Sequence, residues 1–367
     1  MKVLMVSGIY FPDIGGPASY LPRLAHALIK LGYEVQTVSL TDSGKTTRPV
    51  EPWQRLFVLR KTNKITRTYK LIRIIRRAAR KSDFVFINGL YVESAVALYG
   101  LRCYSTAKVV GDPVWERVKN KIGTPYTVDE FAIRFTGLKN FIHRKITNFA
   151  LSRFDQLTAP SNNLATNIRN WGVKGEVVVI ANGVKCLEVL NVSPDYDVVS
   201  LARLVEWKRI DVLIRACAMA DLRIAIAGVG PEKGNLEKIA HETQCDAHFL
   251  GQLDREESID LLQRSKIFAL ISTYEGLSFS LIEAMMLEKR ILVSNAPGNQ
   301  AVITNQVDGL ISEASKVSDV ADMLKLLNSE TIETIKLGVN ARVKAQKFFC
   351  EEQQLVKMTN LITETHR

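Results

Sequence analysis

The chain has 367 residues, of which 47% are hydrophobic and 24% charged, a composition that excludes disordered and fibrous proteins and predicts two domains of ordinary size. Its five cysteines are scattered and no Cys-x-x-Cys occurs, which argues against a disulfide framework or a zinc site and favours a reducing compartment. No apolar run approaches the roughly 18 residues of a membrane span, so we expect a cytoplasmic protein.

The net charge of +11 is unevenly distributed along the chain. Residues 1–190 carry +16, whereas residues 191–367 carry −5. Such asymmetry usually reports a partner surface, and nucleic acid and anionic membrane are the two candidate partners.

The first half alternates between strand and helix patterns. A short apolar run at the start predicts a first buried strand, not a signal peptide. A glycine-bearing loop and a helix with apolar residues at helical spacing follow, and then a second strand. The predicted strands and helices are Lys2–Ser7, Tyr20–Leu31, Val35–Leu40, Tyr69–Arg80, Phe84–Asn88, Val92–Leu101, Ala107–Val110, Leu138–Ser152, Gln156–Ala159 and Val177–Ala181.

The alternation restarts after an irregular segment that ends at Asp197 and runs through residues 198–294. Two successive strand–helix alternations predict an α/β protein with two Rossmann-like, doubly wound domains that face a central cleft. We predict an N-terminal domain at residues 1–188, a C-terminal domain at residues 189–347, and a final helix within 348–367 that packs back towards the N-terminal domain.

The segment from Glu275 to Glu283 follows a predicted strand and opens a helix. The backbone after Gly276 would present free N–H groups, which suit an anion or a hydroxyl. Glu283 lies among apolar neighbours, where a carboxylate needs a partner, and the hydroxyl groups of a sugar or ribose would serve. The alternative is that Glu283 pairs with a nearby cation and Glu275 caps the helix.

Two cations and two glycines occupy earlier strand-to-helix turns of the same domain. Arg203 and Lys208 suit a departing diphosphate, although a solvated loop explains them equally well. Gly228 and Gly230 form a Gly-x-Gly turn, which is a weak nucleotide signal and as easily a plain tight turn.

The first domain offers a glycine pair and an acid. Gly15 and Gly16 would let the backbone approach a ligand. Asp112 follows a predicted strand and is a candidate acid–base or hydrogen-bonding group, or a turn residue before Pro113. Asp195 and Asp197 match a metal-binding Asp-x-Asp pattern but lie in the predicted linker, so we predict no metal and no cofactor.

These residues together resemble glycosyltransferase family 4, retaining nucleotide-sugar transferases with the glycosyltransferase B fold. The resemblance rests on short segments in a specific order over nearly the whole chain. They are Ile14–Gly16, Ala159–Ser161, Ile180–Val184, the Arg203…Lys208 pair, Gly228–Pro231, Leu250–Leu253 and the Glu-x7-Glu box at Glu275–Glu283.

The resemblance implies a metal-independent hexosyltransferase, with UDP preferred over GDP, that acts in bacterial cell-surface polysaccharide synthesis. Glu275 would contact the donor sugar, Glu283 the ribose and the main chain near Leu253 the base. The implied catalytic residues are Asp112, Arg203, Lys208 and Glu275. The implied donor-binding residues are Gly15, Gly16, Arg203, Lys208, Gly228, Gly230, Leu253, Glu275, Gly276, Leu277, Ser278 and Glu283. Many relatives carry a histidine where this chain has Gly111-Asp112-Pro113, and we assign Asp112 to the acceptor or sugar side.

Residues 61–81 contain nine lysines and arginines and no acid. Their charges spiral around a helix, while Leu71, Ile75 and neighbouring residues form an apolar stripe towards the fold. We predict docking on an anionic membrane, which suits a glycan or lipid-linked acceptor. The alternative is a solvated helix.

Two other functions compete with transfer. One is a nucleotide-sugar epimerase on the same scaffold. The other is a basic nucleic-acid-binding protein, although a basic surface interleaved with aromatic residues is lacking and we expect no nucleic acid partner.

Overall fold

The structure, a computed structural model, describes residues 1–11, 13, 16–42, 53–121, 131 and 137–364. The chain forms two compact units. Unit 1 comprises Met1–Ile180 and the segment that begins at Gln354, and unit 2 is Ala181–Gln353. Unit 2 therefore begins and ends several residues outside the predicted limits of 189 and 347.

Unit 1 is built on a seven-stranded parallel sheet. Its strands are β1 (Lys2–Ser7), β2 (Glu34–Thr41), β3 (Gln54–Leu59), β4 (Phe84–Asn88), β5 (Tyr104–Lys108), β6 (Gln156–Ala159) and β7 (Val177–Val179). Its helices are α1 (Gly16–Lys30), α2 (Lys64–Ala79), α3 (Tyr91–Leu98), α4 (Pro113–Lys121), α5 (Leu138–Leu151) and α6 (Asn162–Asn170).

The strand order in unit 1 is β3-β2-β1-β4-β5-β6-β7, which places β1 and β4 at the centre. The sheet order reverses beside β1, as in doubly wound folds. One face of the sheet packs on α2, α3 and α6, with Leu4, Val85 and Leu157 among the buried strand residues. The apolar stripe predicted for the basic helix is confirmed, because Leu71, Ile75, Ala78 and Ala79 are buried in this core.

Unit 2 is built on a six-stranded parallel sheet. Its strands are β8 (Tyr196–Leu201), β9 (Ile224–Ala227), β10 (Ala247–Gly251), β11 (Ser265–Leu270), β12 (Arg290–Ser294) and β13 (Leu310–Ser312). Its helices are α7 (Ile210–Ala220), α8 (Lys233–Glu242), α9 (Arg255–Gln263), α10 (Phe279–Met286), α11 (Pro297–Gln300), α12 (Val317–Asn328) and α13 (Ile332–Phe348), with a short 3-10 helix at Glu206–Lys208.

The strand order in unit 2 is β10-β9-β8-β11-β12-β13. Here β8 and β11 are neighbours although more than 60 residues separate them. Successive strands extend the sheet in one direction from β8 to β10 and in the opposite direction from β11 to β13. Helices α7 and α12 cover one face, while α10 and α13 belong to the core on the other. The predicted fold class, two doubly wound α/β domains, is confirmed.

The last helix, α14 (Glu351–Glu364), begins within unit 2 and belongs to unit 1 from Gln354 onward. Just before it, Val184 and Cys350 form an isolated parallel bridge in unit 2. Val184 N donates to Phe349 O at 2.9 Å, and Glu351 N donates to Val184 O at 2.9 Å. The two segments at the limits of unit 2 are thus directly hydrogen-bonded to each other.

Within the described ranges, no helix combines the length and the hydropathy that crossing a bilayer requires.

Candidate active site

The donor-side residues predicted from the sequence lie at one edge of the unit 2 sheet. Because all six strands are parallel, their carboxyl ends meet at the same edge. Four neighbouring strands are followed by loops that carry these residues. The loop after β10 carries Leu253, and the loop after β9 carries Gly228 and Gly230. The loop after β8 carries Arg203 and Lys208, and the loop after β11 carries Glu275 through Ser278. Ligands of open α/β sheets bind at this edge, beside the point where strand order reverses.

Lys208 and Glu275 form an ion pair at the centre of this edge. Lys208 Nζ contacts Glu275 Oε1, and Ser272 Oγ donates to the same carboxylate oxygen at 2.6 Å. The Lys208 and Glu275 side chains are 13% and 9% exposed, so the pair is sheltered but reachable. Glu275 does not cap the helix as the alternative expectation had it, because Ser278 does so with a bond from Leu281 N.

The backbone also joins the two loops that carry this pair. Thr273 N donates to Trp207 O at 2.8 Å, one residue from Lys208 and two from Glu275. The loops follow β8 and β11, which pair directly in the sheet. Strand order therefore determines that the cation and the carboxylate meet.

The glycines of the Gly-x-Gly turn have a steric explanation. A Cβ on Gly228 would lie 1.9 Å from Ala202 O, and a Cβ on Gly230 would lie 2.1 Å from Leu204 O. Leu204 N donates to Val229 O at 3.0 Å, so the turn lies flat against the loop of Arg203. The glycines thereby set the position of a cation; the plain-turn interpretation accounts for their geometry without a nucleotide contact.

Arg203 is the exposed cation of the site. Its guanidinium carbon lies 5.5 Å from the centre of the Trp207 ring, a cation–π distance. Among the residues that the structure describes, Arg203 forms no ion pair. Its charge is thus available to an anionic ligand, unlike that of Lys208.

Glu283 lies on α10 with its side chain 14% exposed. Arg255 Nη2, at the start of α9, lies 3.4 Å from Glu283 Oε1. The pairing with a nearby cation, which the sequence left open as an alternative, is therefore present. Arg255 is 40% exposed, so only the arginine end of the pair is open to solvent.

Gly276 and Leu277 are fixed from behind by backbone packing. A Cβ on Gly298 would lie 2.1 Å from Glu275 O and 2.7 Å from Gly276 O. Asn182 Nδ2 donates to Leu277 O at 3.0 Å. Ser294 Oγ donates to Ser272 O, and Asn299 Nδ2 donates to Ser294 Oγ at 3.0 Å. The loop is therefore held by groups that are not among the predicted site residues.

Asp112, a predicted catalytic residue, is held by protein groups on both carboxylate oxygens. The carboxylate is completely buried. Oδ1 accepts from Val114 N at 2.9 Å and Trp115 N at 3.0 Å, which caps α4, and Oδ2 accepts from Arg144 Nη2 at 2.6 Å. Because both oxygens are engaged by protein donors, this geometry favours the interpretation of Asp112 as a turn residue over an acid–base role.

The remaining predicted residues occupy less informative places. Gly16 is the first residue of α1, and Gly15 lies outside the described residues. Leu253 is partly buried against the unit 2 core just before α9. Asp197 lies within strand β8, 3.0 Å from Lys266 Nζ, and Asp195 lies 3.6 Å from Arg264 Nη1. No cluster of metal-ligating side chains occurs in the part of the chain that the structure describes.

Sequence reasoning missed the groups that position the site. Ser294, Asn299 and Gly298 have no motif of their own, because each contacts a segment more than 20 residues away. Ser272 carried the one available signal, because it is a serine that closely follows a buried strand and precedes a carboxylate by three residues. The Lys208–Glu275 contact required the strand order, which spacing alone does not give.

The two halves of the chain match two family descriptions. Residues 14–186 match Glycosyltransferase Family 4, and residues 188–344 match Glycosyl transferases group 1. A phosphatidylinositol N-acetylglucosaminyltransferase component of Arabidopsis thaliana is 24% identical over 307 residues, which are 77% of this chain. The chain spans 65% of the length of that relative.

The chain is also similar to a bacterial glycosyltransferase and to a solved structure. A GDP-mannose-dependent phosphatidylinositol monomannoside mannosyltransferase of Corynebacterium glutamicum is 25% identical over 178 residues, 45% of this chain and 46% of the relative. Anabaena HepE, solved in complex with UDP and glucose, has 18% identity and a TM-score of 0.81, with 99% of this chain and 100% of that one covered. The latter likeness shows the fold.

Proposed function

Because the chain belongs to the glycosyltransferases of family 4 and group 1, we propose that it transfers a hexose-type sugar from a nucleotide-sugar donor to a glycan or lipid-linked acceptor. We further propose that the donor is a UDP-sugar, that the anomeric configuration is retained, and that the product is bacterial cell-surface polysaccharide. The names of both relatives specify phosphatidylinositol or its mannoside, which supports a lipid-linked acceptor, and the name of the Corynebacterium glutamicum relative specifies the sugar nucleotide GDP-mannose. HepE, which shares the fold, binds UDP and glucose.

The observation that carries the proposal is the Lys208–Glu275 pair beside Arg203 at the carboxyl edge of the unit 2 sheet. A sugar diphosphate carries hydroxyl groups and phosphate oxygens close together, and it needs carboxylates for the former and cations for the latter. Glu275 and Glu283 supply the carboxylates. Arg203 and Lys208 supply the cations, and donor binding would exchange the Lys208–Glu275 contact for contacts with the ligand.

The reaction breaks the bond between the anomeric carbon and the diphosphate oxygen, and it forms a bond between that carbon and an acceptor hydroxyl oxygen. Negative charge grows on the departing diphosphate, where Arg203 and Lys208 stabilise it. The acceptor proton passes to the leaving diphosphate on the same face, which retains the configuration. This route requires neither a metal ion nor a protein base, and it leaves Asp112 to its structural role.

The test compares variants of two ion pairs in a thermal-shift panel of nucleotide sugars and in a transfer assay. A ligand at about 100 times its dissociation constant stabilises by about 2.7 kcal/mol, which is readily measured. Lys208→Ala and Glu275→Ala should lower transfer at least a hundredfold. Lys233→Ala, which breaks the exposed Lys233–Glu237 pair on α8, is the matched control and should leave transfer unchanged.

Two results would contradict the proposal. Normal transfer by both site variants would remove the site assignment. Turnover of the donor in the absence of any acceptor, with a new sugar epimer as the product, would replace transfer by epimerisation.

We also propose that unit 1 docks on an anionic membrane, through a surface wider than the predicted helix. Seven of the nine cations in residues 61–81 are exposed and form no ion pair within the described residues, while Arg67 and Arg76 donate to backbone carbonyls. Helix α3 packs against both α2 and α5. On α5, Leu138, Ile142, Ile146 and Phe149 are spaced along one stripe and are exposed, the last by 68%.

Apolar side chains on such a helix would enter the interface while the neighbouring cations meet anionic headgroups. Co-flotation with anionic vesicles should fall when Phe149 and Ile146 are replaced by serine. Replacing Ile335 and Val343, equally exposed on α13 of unit 2, should have no effect. Equal recovery on neutral and anionic vesicles, or insensitivity to added salt, would exclude this docking mode.

A further inference from the structure

Ser272 is a buried serine that follows β11 and bonds to the carboxylate of Glu275. Its hydroxyl donates to Glu275 Oε1 at 2.6 Å, and the residue is completely buried. Lys208 Nζ contacts the same oxygen. Within the described residues, Glu275 Oε2 accepts no hydrogen bond, although a carboxylate offers about four acceptor positions. Both protein donors therefore converge on one carboxylate oxygen, and the other oxygen is unused.

The backbone of Ser272 is itself held in place. Ser294 Oγ donates to Ser272 O, and Asn299 Nδ2 donates to Ser294 Oγ at 3.0 Å. Ser294 and Asn299 are both buried, and Asn299 Nδ2 also lies 3.3 Å from Leu270 O at the end of β11. A serine has one side-chain torsion angle between its backbone and its oxygen. A fixed backbone therefore limits the Ser272 hydroxyl to a few positions.

The two donors to Glu275 differ in what the proposed function requires of them. Lys208 reaches the carboxylate with a flexible four-carbon side chain, and the charge of a departing diphosphate would draw its ammonium away. Ser272 carries no charge and has no such reason to move. Once Lys208 contacts the diphosphate, the Ser272 hydroxyl is the group that still orients the Glu275 carboxylate.

We propose that Ser272 is a positioning residue, which aims Glu275 Oε2 at a hydroxyl group of the donor sugar. This role rests on the proposed function, in which Glu275 binds the sugar while Arg203 and Lys208 bind the diphosphate. A carboxylate that is already oriented loses less conformational freedom when the sugar binds. Ser272 thereby increases the preference of the site for a nucleotide sugar over the nucleotide that remains after transfer.

The experiment measures the affinities of UDP-glucose and UDP for the full chain by isothermal titration calorimetry. Ser272→Ala should weaken the binding of UDP-glucose by about tenfold or more, as expected for a lost hydrogen bond to a charged group, and should leave the binding of UDP unchanged. Ser265→Ala is the matched control. Ser265 is the buried first residue of the same strand, β11, and its hydroxyl donates to Leu261 O at 2.7 Å. This variant should change neither affinity.

A second comparison separates positioning from a general effect on the fold. In a Glu275→Ala background, Ser272→Ala should cause no further loss of UDP-glucose affinity, because the carboxylate that Ser272 orients is gone. Should Ser272→Ala fail to fold, Ser272→Cys has nearly the same shape and only a weak donor, and it should show the same selective loss.

Three results would overturn the role of Ser272 and leave the proposed function intact. They are an unchanged affinity for UDP-glucose in the Ser272 variants, an equal loss of affinity for UDP-glucose and UDP, and additive losses in the variant that lacks both Ser272 and Glu275. A wild-type protein that binds neither UDP-glucose nor UDP would instead contradict the proposed donor, and with it this role.

Discussion

Gly298→Ala should displace the loop that carries Glu275, although Gly298 is not among the predicted site residues. The added Cβ would lie 2.1 Å from Glu275 O. The two atoms must separate by about 1.3 Å more to reach the ordinary contact distance of 3.4 Å. Both neighbours are backbone, Glu275 O and Gly276 O, so no side chain can rotate away. Overpacking of this kind typically costs about 1–3 kcal/mol of unfolding free energy.

The effect on transfer should exceed the effect on stability. A misplacement of roughly 1 Å in a positioned catalytic group can lower the rate about a hundredfold. The loop is further held by Ser294 Oγ on Ser272 O and by Asn182 Nδ2 on Leu277 O, so strain at Gly298 is transmitted to Glu275 and is not absorbed elsewhere.

Gly234→Ala is the matched control, because a Cβ there meets no atom within 4 Å and the residue lies in helix α8. Alanine in place of glycine in a helix stabilises by up to about 1 kcal/mol. In urea unfolding and transfer assays, only Gly298→Ala should therefore lose stability and activity. Wild-type stability and activity in Gly298→Ala would refute the reasoning.

Three further outcomes test other parts of the structure. Asp112→Ala removes a helix cap and leaves the Arg144 charge uncompensated, so it should lower the unfolding free energy by about 3–5 kcal/mol in urea titrations. Arg144→Ala should also lower the unfolding free energy. A stable but inactive Asp112→Ala protein would instead support a catalytic role for Asp112. Burial lowers the pKa of Lys108 to about 7 in the folded protein from 10.5 in the unfolded chain, so unfolding takes up a proton between pH 7 and pH 10.5. The free energy of unfolding should therefore rise by about 1.4 kcal/mol per pH unit from pH 7 to 10. Lys108→Met should flatten that rise except for the share of Lys289, whose pKa of about 8 acts in the same direction; an unchanged slope would show that Lys108 does not titrate there. Oxidised glutathione should convert Cys186 and Cys350, whose sulfur atoms lie 3.8 Å apart, into a disulfide and release two molecules of reduced glutathione. The intact mass of the protein should then fall by two hydrogens, and Cys186→Ser should prevent this change. A stable mixed disulfide with glutathione in the wild type would contradict the geometry.

The sequence pattern predicted the strands best where they are buried on both faces. Lys2–Ser7 and Phe84–Asn88 contain continuous apolar runs, and both strands have the predicted limits. Strand β3 and helices α12 and α13 had no such signal. Strand β3 is a partly exposed edge strand, and α13 exposes apolar residues such as Ile335 and Val343 among polar ones, so neither shows a clear buried face in the sequence.

For the candidate site, too, one part could be predicted from the sequence and another part could not. That Arg203, Lys208 and Glu275 follow strands could be predicted, because strand-to-helix turns have recognisable residues. Their contact could not, since it depends on β8 pairing with β11. Asp112 illustrates the limit: an acid between a strand and a proline looks alike as a cap or as a catalyst, and Arg144, 32 residues later, decides between them.

The bridge between Val184 and Cys350 has a consequence for the architecture of the gene product. Unit 2 is one uninterrupted stretch, Ala181–Gln353, whose beginning and end are hydrogen-bonded neighbours. A segment with adjoining ends can be grafted into another chain without stretching either junction. Exchange of residues 181–353 between related enzymes, cut on either side of this bridge, therefore keeps both junctions adjacent, and such chimeras would test whether unit 2 carries the proposed donor specificity.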